Sequence, residues 1–130
     1  MELLERAAEA ASPLLRVEQA LAAGGPELAG LLLTFDVGRI FLASDLSGKQ
    51  VREQQVVSRE DFPGALEIAD EEDPWWRILG NPLTRVRGLQ VGNGSGIALQ
   101  FRTDGDNPRL VAILPGKRGL QVKLQGSAPA

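Results

Sequence analysis

Carboxylates, Lys, Arg, Ser and Thr are the side chains left to do chemistry, because the 130-residue chain has no His, no Cys and no Tyr. Without histidine there is no side chain that titrates near neutrality unperturbed, and Ser-His-Asp triads, His general bases and His-ligated zinc are all excluded. Without cysteine there are no thiolate nucleophiles, disulfides or Cys-ligated metals, which suits a reducing compartment. A carboxylate pair such as Asp36 with Asp45 is left for acid–base work, and no spacing in the sequence brings those two together. The expectation is a non-enzymatic protein with no catalytic residue, no cofactor and no metal site.

Five acids, Glu67, Asp70, Glu71, Glu72 and Asp73, gather just before Trp75-Trp76. A hard cation accepts oxygens of this kind, but the spacing matches no EF-hand, so a solvated loop with Asp73 as a helix cap is the favoured reading. Adjacent helical residues point about 100° apart, so the two rings cannot share one buried face. One ring anchors the core; the other lies under a loop or sits part-exposed in a site. Loops on a rigid scaffold commonly carry binding residues, tryptophan is enriched at interface hot spots, and clustered carboxylates speed encounter with a basic partner. Glu67, Asp70, Glu71, Glu72, Trp75 and Trp76 are therefore the candidate partner surface, set against the plainer reading of packed rings and solvated acids.

Arg85, Arg87, Arg102 and Lys123 fall at alternating strand positions where they share a solvent face, making a candidate anion patch; the plainer reading is ordinary solubility. No aromatic residue is interleaved with them to stack on bases. Val91-Gly92-Asn93-Gly94-Ser95-Gly96 is glycine-rich, yet a strand rather than a helix follows it, so it reads as a hairpin turn and not as a phosphate loop.

The elements that must position these residues follow from periodicity. Leu3, Leu4, Ala7, Ala8 and Ala11 recur at helical spacing, and Ser12-Pro13 then resembles a cap and first helical position for a second helix with the stripe Leu14, Val17 and Leu21, ended by Gly24-Gly25-Pro26. Residues 1–24 are thus expected to be a helix or helical pair. From Leu28 the period becomes two, giving a hairpin through Leu31, Leu33 and Phe35, the turn Asp36-Val37-Gly38, and Arg39 to Ala43. A polar edge strand through Val51, Val56 and Val57 comes next, then a loop over Arg59 to Asp73. A short helix follows near 74–79, stopped by Gly80-Asn81-Pro82. Strands are expected at Leu83 to Val91, Ile97 to Arg102, Arg109 to Leu114 and Leu120 to Leu124, with a disordered tail over 125–130. The expected fold is α+β, a single domain over 1–124 in which the N-terminal helices pack on a curved, mainly antiparallel sheet of six or seven strands over 28–124. Leu31, Leu33, Phe35, Ile97, Leu99, Phe101, Leu120, Val122 and Leu124 form its buried face.

Composition bounds the partners. The chain is 43% hydrophobic and 24% charged, an ordinary globular balance. Its formal charge of −3 disfavours non-specific nucleic-acid binding. The acidic start Met1-Glu2-Leu3-Leu4-Glu5 is unlike a secretory signal, and the apolar run around Leu28 to Leu33 falls far short of a membrane span, so a cytoplasmic location is expected. The excess of Arg over Lys with abundant Ala, Leu and Gly hints at a GC-rich bacterial genome.

Trp75-Trp76-Arg77-Ile78-Leu79-Gly80-Asn81-Pro82-Leu83, followed by Gly88-Leu89 and Gly96-Ile97-Ala98-Leu99-Gln100-Phe101, resembles a small bacterial domain family of unknown function, over roughly Leu31 to Leu124. The resemblance implies a fold and brings no activity with it; family members often show an aromatic residue two places after the Pro-Leu pair or nearby, where this chain has Arg85 and Arg87. The reading is a protein-binding domain with a basic partner, in its most concrete version an immunity protein that neutralises a toxin. The alternatives are a structural or oligomerisation module using a sheet edge or the N-terminal helix, and a small-ligand carrier or enzyme with a pocket under the sheet.

Overall fold

A computed structural model describes residues 2–21, 28–45, 47–57, 66–72, 75–92, 94–102, 109–116 and 119–127. Helix α1 (Glu2–Glu9) is followed by β1 (Leu14–Leu21), β2 (Leu28–Phe35), β3 (Gly38–Ser44), β4 (Val51–Val56), β5 (Glu67–Ile68), a 3-10 helix (Trp75–Arg77), β6 (Leu83–Val91), β7 (Gly94–Phe101), β8 (Arg109–Leu114) and β9 (Gln121–Ser127). Strand neighbours pair antiparallel in two sheets, one of order β4-β3-β2-β1-β5 and one of order β6-β7-β8-β9. The α+β class with mainly antiparallel pairing is as expected from periodicity.

Both sheets turn their apolar faces into one core. Leu31, Leu33 and Phe35 of β2 join Ile97, Leu99 and Phe101 of β7, with Leu120 behind them and Val122 and Leu124 packed partly buried alongside. Strand ends staple the two sheets together. At one end Leu14 N–H donates to Asn81 O (3.1 Å), and Gly80 N–H to Leu14 O (2.7 Å). At the other, Leu120 N–H donates to Leu28 O and Ser95 N–H to Lys49 O, both at 2.7 Å. Gly94 is required there, because a Cβ on it would stand 2.3 Å from Lys49 O.

Helix α1 buries Leu4 and Ala7 in the core and packs against β6 and β4. Its first turn is capped from another element: the Glu53 carboxylate of β4 accepts from Leu3 N–H (2.8 Å) and Leu4 N–H (3.1 Å). The helix ends in a Schellman arrangement, with Ser12 N–H on Ala7 O, Ala11 N–H on Ala8 O, and Ala11 in the left-handed region at φ 48°.

Five expectations are corrected. The second N-terminal helix is a strand, so 1–24 is not helical throughout. Leu15 is an extra residue in β1, where the register steps from Leu14↔Phe35 to Arg16↔Thr34. That bulge lets Leu14 and Val17 both point inward three positions apart, which imitates helical spacing. Ser12 Oγ does not cap a helix but accepts from Val37 N–H at 3.3 Å. Nine strands occur among the described residues, the two beyond the expected seven being β1 and the two-residue β5, and they form two sheets rather than one. The short helix is a single 3-10 turn, Trp75–Arg77; its expected cap, Asp73-Pro74, lies outside the described residues. Strand β9 runs to Ser127, beyond the expected tail boundary at 125.

Candidate functional site

The segment before the tryptophans is tied to the sheet edge by its backbone. Strand β5 pairs with β1 through Glu18↔Ile68 and Gln19↔Glu67. Ala69 N–H then donates to Val17 O at 2.8 Å, and the Asp70 carboxylate accepts from Val17 N–H at 2.7 Å. Asp70 thus continues the edge ladder with a side chain in place of a peptide group. Its other oxygen stands 3.6 Å from Arg16 Nε, a loose ion pair whose arginine is half exposed and which adds little.

A turn follows, with Glu72 N–H on Ala69 O and Trp76 N–H on Glu72 O, both at 3.1 Å. Ile78 and Leu79 N–H groups both donate to Trp75 O, which closes the 3-10 turn, and Gly80 at φ 85° reverses the chain into β6. The turn splits the tryptophans as the angular argument requires. Trp75 is 3% exposed within the core beside fully buried Ile78, whereas Trp76 is 55% exposed with the Arg77 guanidinium 4.8 Å from its ring centroid.

The candidate surface therefore divides. Glu67, Glu71, Glu72 and Trp76 are exposed and close in the chain. Trp75 and Asp70 leave the set of binding residues: the first is a core side chain, and the second is consumed by β1. Two residues join that sequence reasoning missed. Ile68 is 56% exposed, yet nothing in a two-residue strand inside an acidic segment signals it. Arg77 stacks on its own neighbour, for which adjacency to Trp76 was the available signal.

On the second sheet, register puts Arg85 opposite Gln100, and aligns Arg87, Ala98, Ala112 and Lys123 in one row across all four strands. Arg102 follows β7 with the same parity as Gln100. All four cations are exposed, on the face away from the core, as the alternation requires.

The remaining candidates separate. Asp36 sits in the β2–β3 turn and Asp45 beyond the far end of β3, about 20 Å away along a strand of this length, so they cannot act as a pair. Asp45 instead organises the turn before β4: its carboxylate accepts from Ser47 Oγ (2.9 Å), Lys49 N–H (3.0 Å) and Gln50 N–H (3.2 Å). The Ser47 hydroxyl most of all, and then the Lys49, Gln50 and Gly48 amides, hold its pKa below the ordinary carboxylate value against opposing desolvation. Strand β7 follows the Gly92 turn, in keeping with a hairpin rather than a phosphate loop.

A cavity of about 170 Å³ lies where α1 meets β3, lined by Leu3, Arg6, Val37, Gly38, Arg39, Ile40 and Gln55. It is smaller than the ~300 Å³ at which small-molecule pockets usually begin. A more polar groove of about 400 Å³ runs over Phe41, Ala43, Ser44, Arg52, Glu53 and Gln54. Among the described residues no three acidic side chains converge on a metal-sized site, and no helix is long and apolar enough to cross a membrane.

No family model matches the chain, and neither does a curated protein or a solved structure. Only the residues and their geometry bear on function.

Proposed function

We propose that this chain is a non-enzymatic binding domain whose surface around Trp76 docks a basic protein partner, and that a toxin-neutralising immunity protein is its most concrete form. One observation carries the reading. Trp76 holds a large ring half in solvent on a turn that is anchored, since the preceding ring is buried and the turn is bonded to Leu14 of β1 through Gly80 and Asn81. Exposing one tryptophan while anchoring it through its neighbour is the arrangement of a preorganised hot spot, which loses little entropy on binding. Glu67, Glu71 and Glu72 are exposed in the segment that leads into Trp76, and exposed Ile68 adds apolar area in that segment, a composition that suits a basic site on the partner, such as the nucleic-acid cleft of a nuclease.

The test is co-purification with the basic product of an adjacent gene, followed by titration. Glu71→Lys with Glu72→Lys should slow association at low salt, and Trp76→Ala should speed dissociation, all with unchanged thermal stability. Asp70 is excluded from the substitutions because its loss would disturb β1. Affinity, association rate and dissociation rate unaltered in both variants would remove this surface.

A further inference from the structure

We propose that the outer face of the four-stranded sheet is a second docking surface, carried on different elements from Trp76, and that it takes an acidic amphipathic segment of another protein. Carboxylates outnumber Lys and Arg in the chain by 17 to 14, yet the described residues of this face include none. Its polar members are Arg85, Arg87, Gln100, Arg102, Gln121 and Lys123, and no ion pair among the described residues neutralises any of its cations. Charge has been segregated onto this face against the sign of the whole molecule.

The face is also not simply wet. Leu89, Leu110 and Leu114 stand part-buried on it and outside the core cluster, while Ala98 and Ala112 are 3% and 1% exposed in the row between Arg87 and Lys123. The two alanines are small and almost fully covered, while the leucines beside them keep part of their apolar surface exposed. Arg87 on β6 and Lys123 on β9 are three strand spacings apart, about 14 Å, which straddles a helix of about 10–12 Å diameter. A segment with an apolar stripe on the leucines and carboxylates on both flanks would satisfy this pattern. A nucleic acid would not, because the described residues of the face include no aromatic side chain for stacking and few charges for a phosphate backbone.

The test uses the full chain labelled for amide NMR and three probes: a synthetic helical peptide with a leucine stripe flanked by glutamates, a short DNA duplex, and phosphatidylserine vesicles. The peptide should shift the amides of Ala98, Gln100 and Ala112 saturably. Arg85→Glu with Arg87→Glu and Lys123→Glu should weaken it by about tenfold or more while leaving the thermal transition in place. Glu71→Lys with Glu72→Lys should leave peptide binding intact or slightly tighter, so failure of the Trp76 surface would not mimic failure here. No saturable shift, binding unchanged in the triple variant, or tighter binding of DNA or vesicles than of peptide would each overturn the proposal.

Discussion

Glu53→Ala should destabilise the protein by about 2 kcal/mol, although Glu53 lies some fifty residues from the helix it serves. Its carboxylate satisfies two of the N–H groups that an α-helix leaves orphaned at its start, those of Leu3 and Leu4. Losing a cap costs about 0.5–2 kcal/mol, and a hydrogen bond to a charged group contributes about 1.5–3. Water can reach this part-buried site once the carboxylate is gone, which places the cost between those figures rather than at their sum. A ceiling exists as well. Helix α1 holds to the core through Leu4 and Ala7, together about 3 kcal/mol of apolar burial, and its eight residues are too few to stay helical alone. A loss near that ceiling would mean that α1 detaches before the rest unfolds. Glu53→Gln keeps one acceptor oxygen and should cost about half as much as Ala. Urea denaturation at unchanged m-value would measure both, with hydrogen exchange of the α1 amides separating detachment from global unfolding. A Glu53→Ala variant within about 0.5 kcal/mol of the parent would refute the capping role.

The tryptophans should part company on truncation: Trp75→Ala should cost about 3–5 kcal/mol by opening the core, and Trp76→Ala less than about 0.5 in thermal or chemical unfolding. Ala11→Gly should stabilise by up to about 1 kcal/mol, because it relieves a left-handed alanine at the helix terminus; a lower midpoint in urea would contradict this. Gly30→Ala should destabilise by about 1–3 kcal/mol, since its Cβ would meet the Phe41 ring at 2.2 Å and Leu42 O at 2.9 Å. Asp45 has a folded pKa below its unfolded one, so its contribution is present above the unfolded value and is lost as pH falls through the folded value. The stability advantage over Asp45→Ala, measured from neutral pH downward, should therefore shrink below about pH 4. A constant difference down to acid would remove the charged form as its cause.

Much of the fold was legible because a half-buried strand writes a period of two into its residues. The β2–β3 hairpin and strands β6 to β9 follow from alternation punctuated by turn residues, and the nine residues expected on the buried face are all buried or packed against the core. The division between Trp75 and Trp76 was legible too, from the angle between neighbours on a turn, though which ring goes inward was not. Alternation says which face of a strand is apolar but not which other face it meets, so only the tertiary structure divided the strands into two sheets. It also decided that Leu14 and Val17 belong to a bulged strand, since a single extra residue makes two periods look alike and only the partner β2 distinguishes them. The run Leu31-Leu32-Leu33 is buried on both faces of β2, with Leu32 beside Glu18 on the outer one, and sequence cannot tell such a strand from a buried helix. Contacts such as Glu53 with α1 and Asp70 with Val17 join residues about fifty positions apart. A carboxylate that caps a helix or completes a strand edge carries the same letter as one that merely faces solvent, and only folding brings its donors to it.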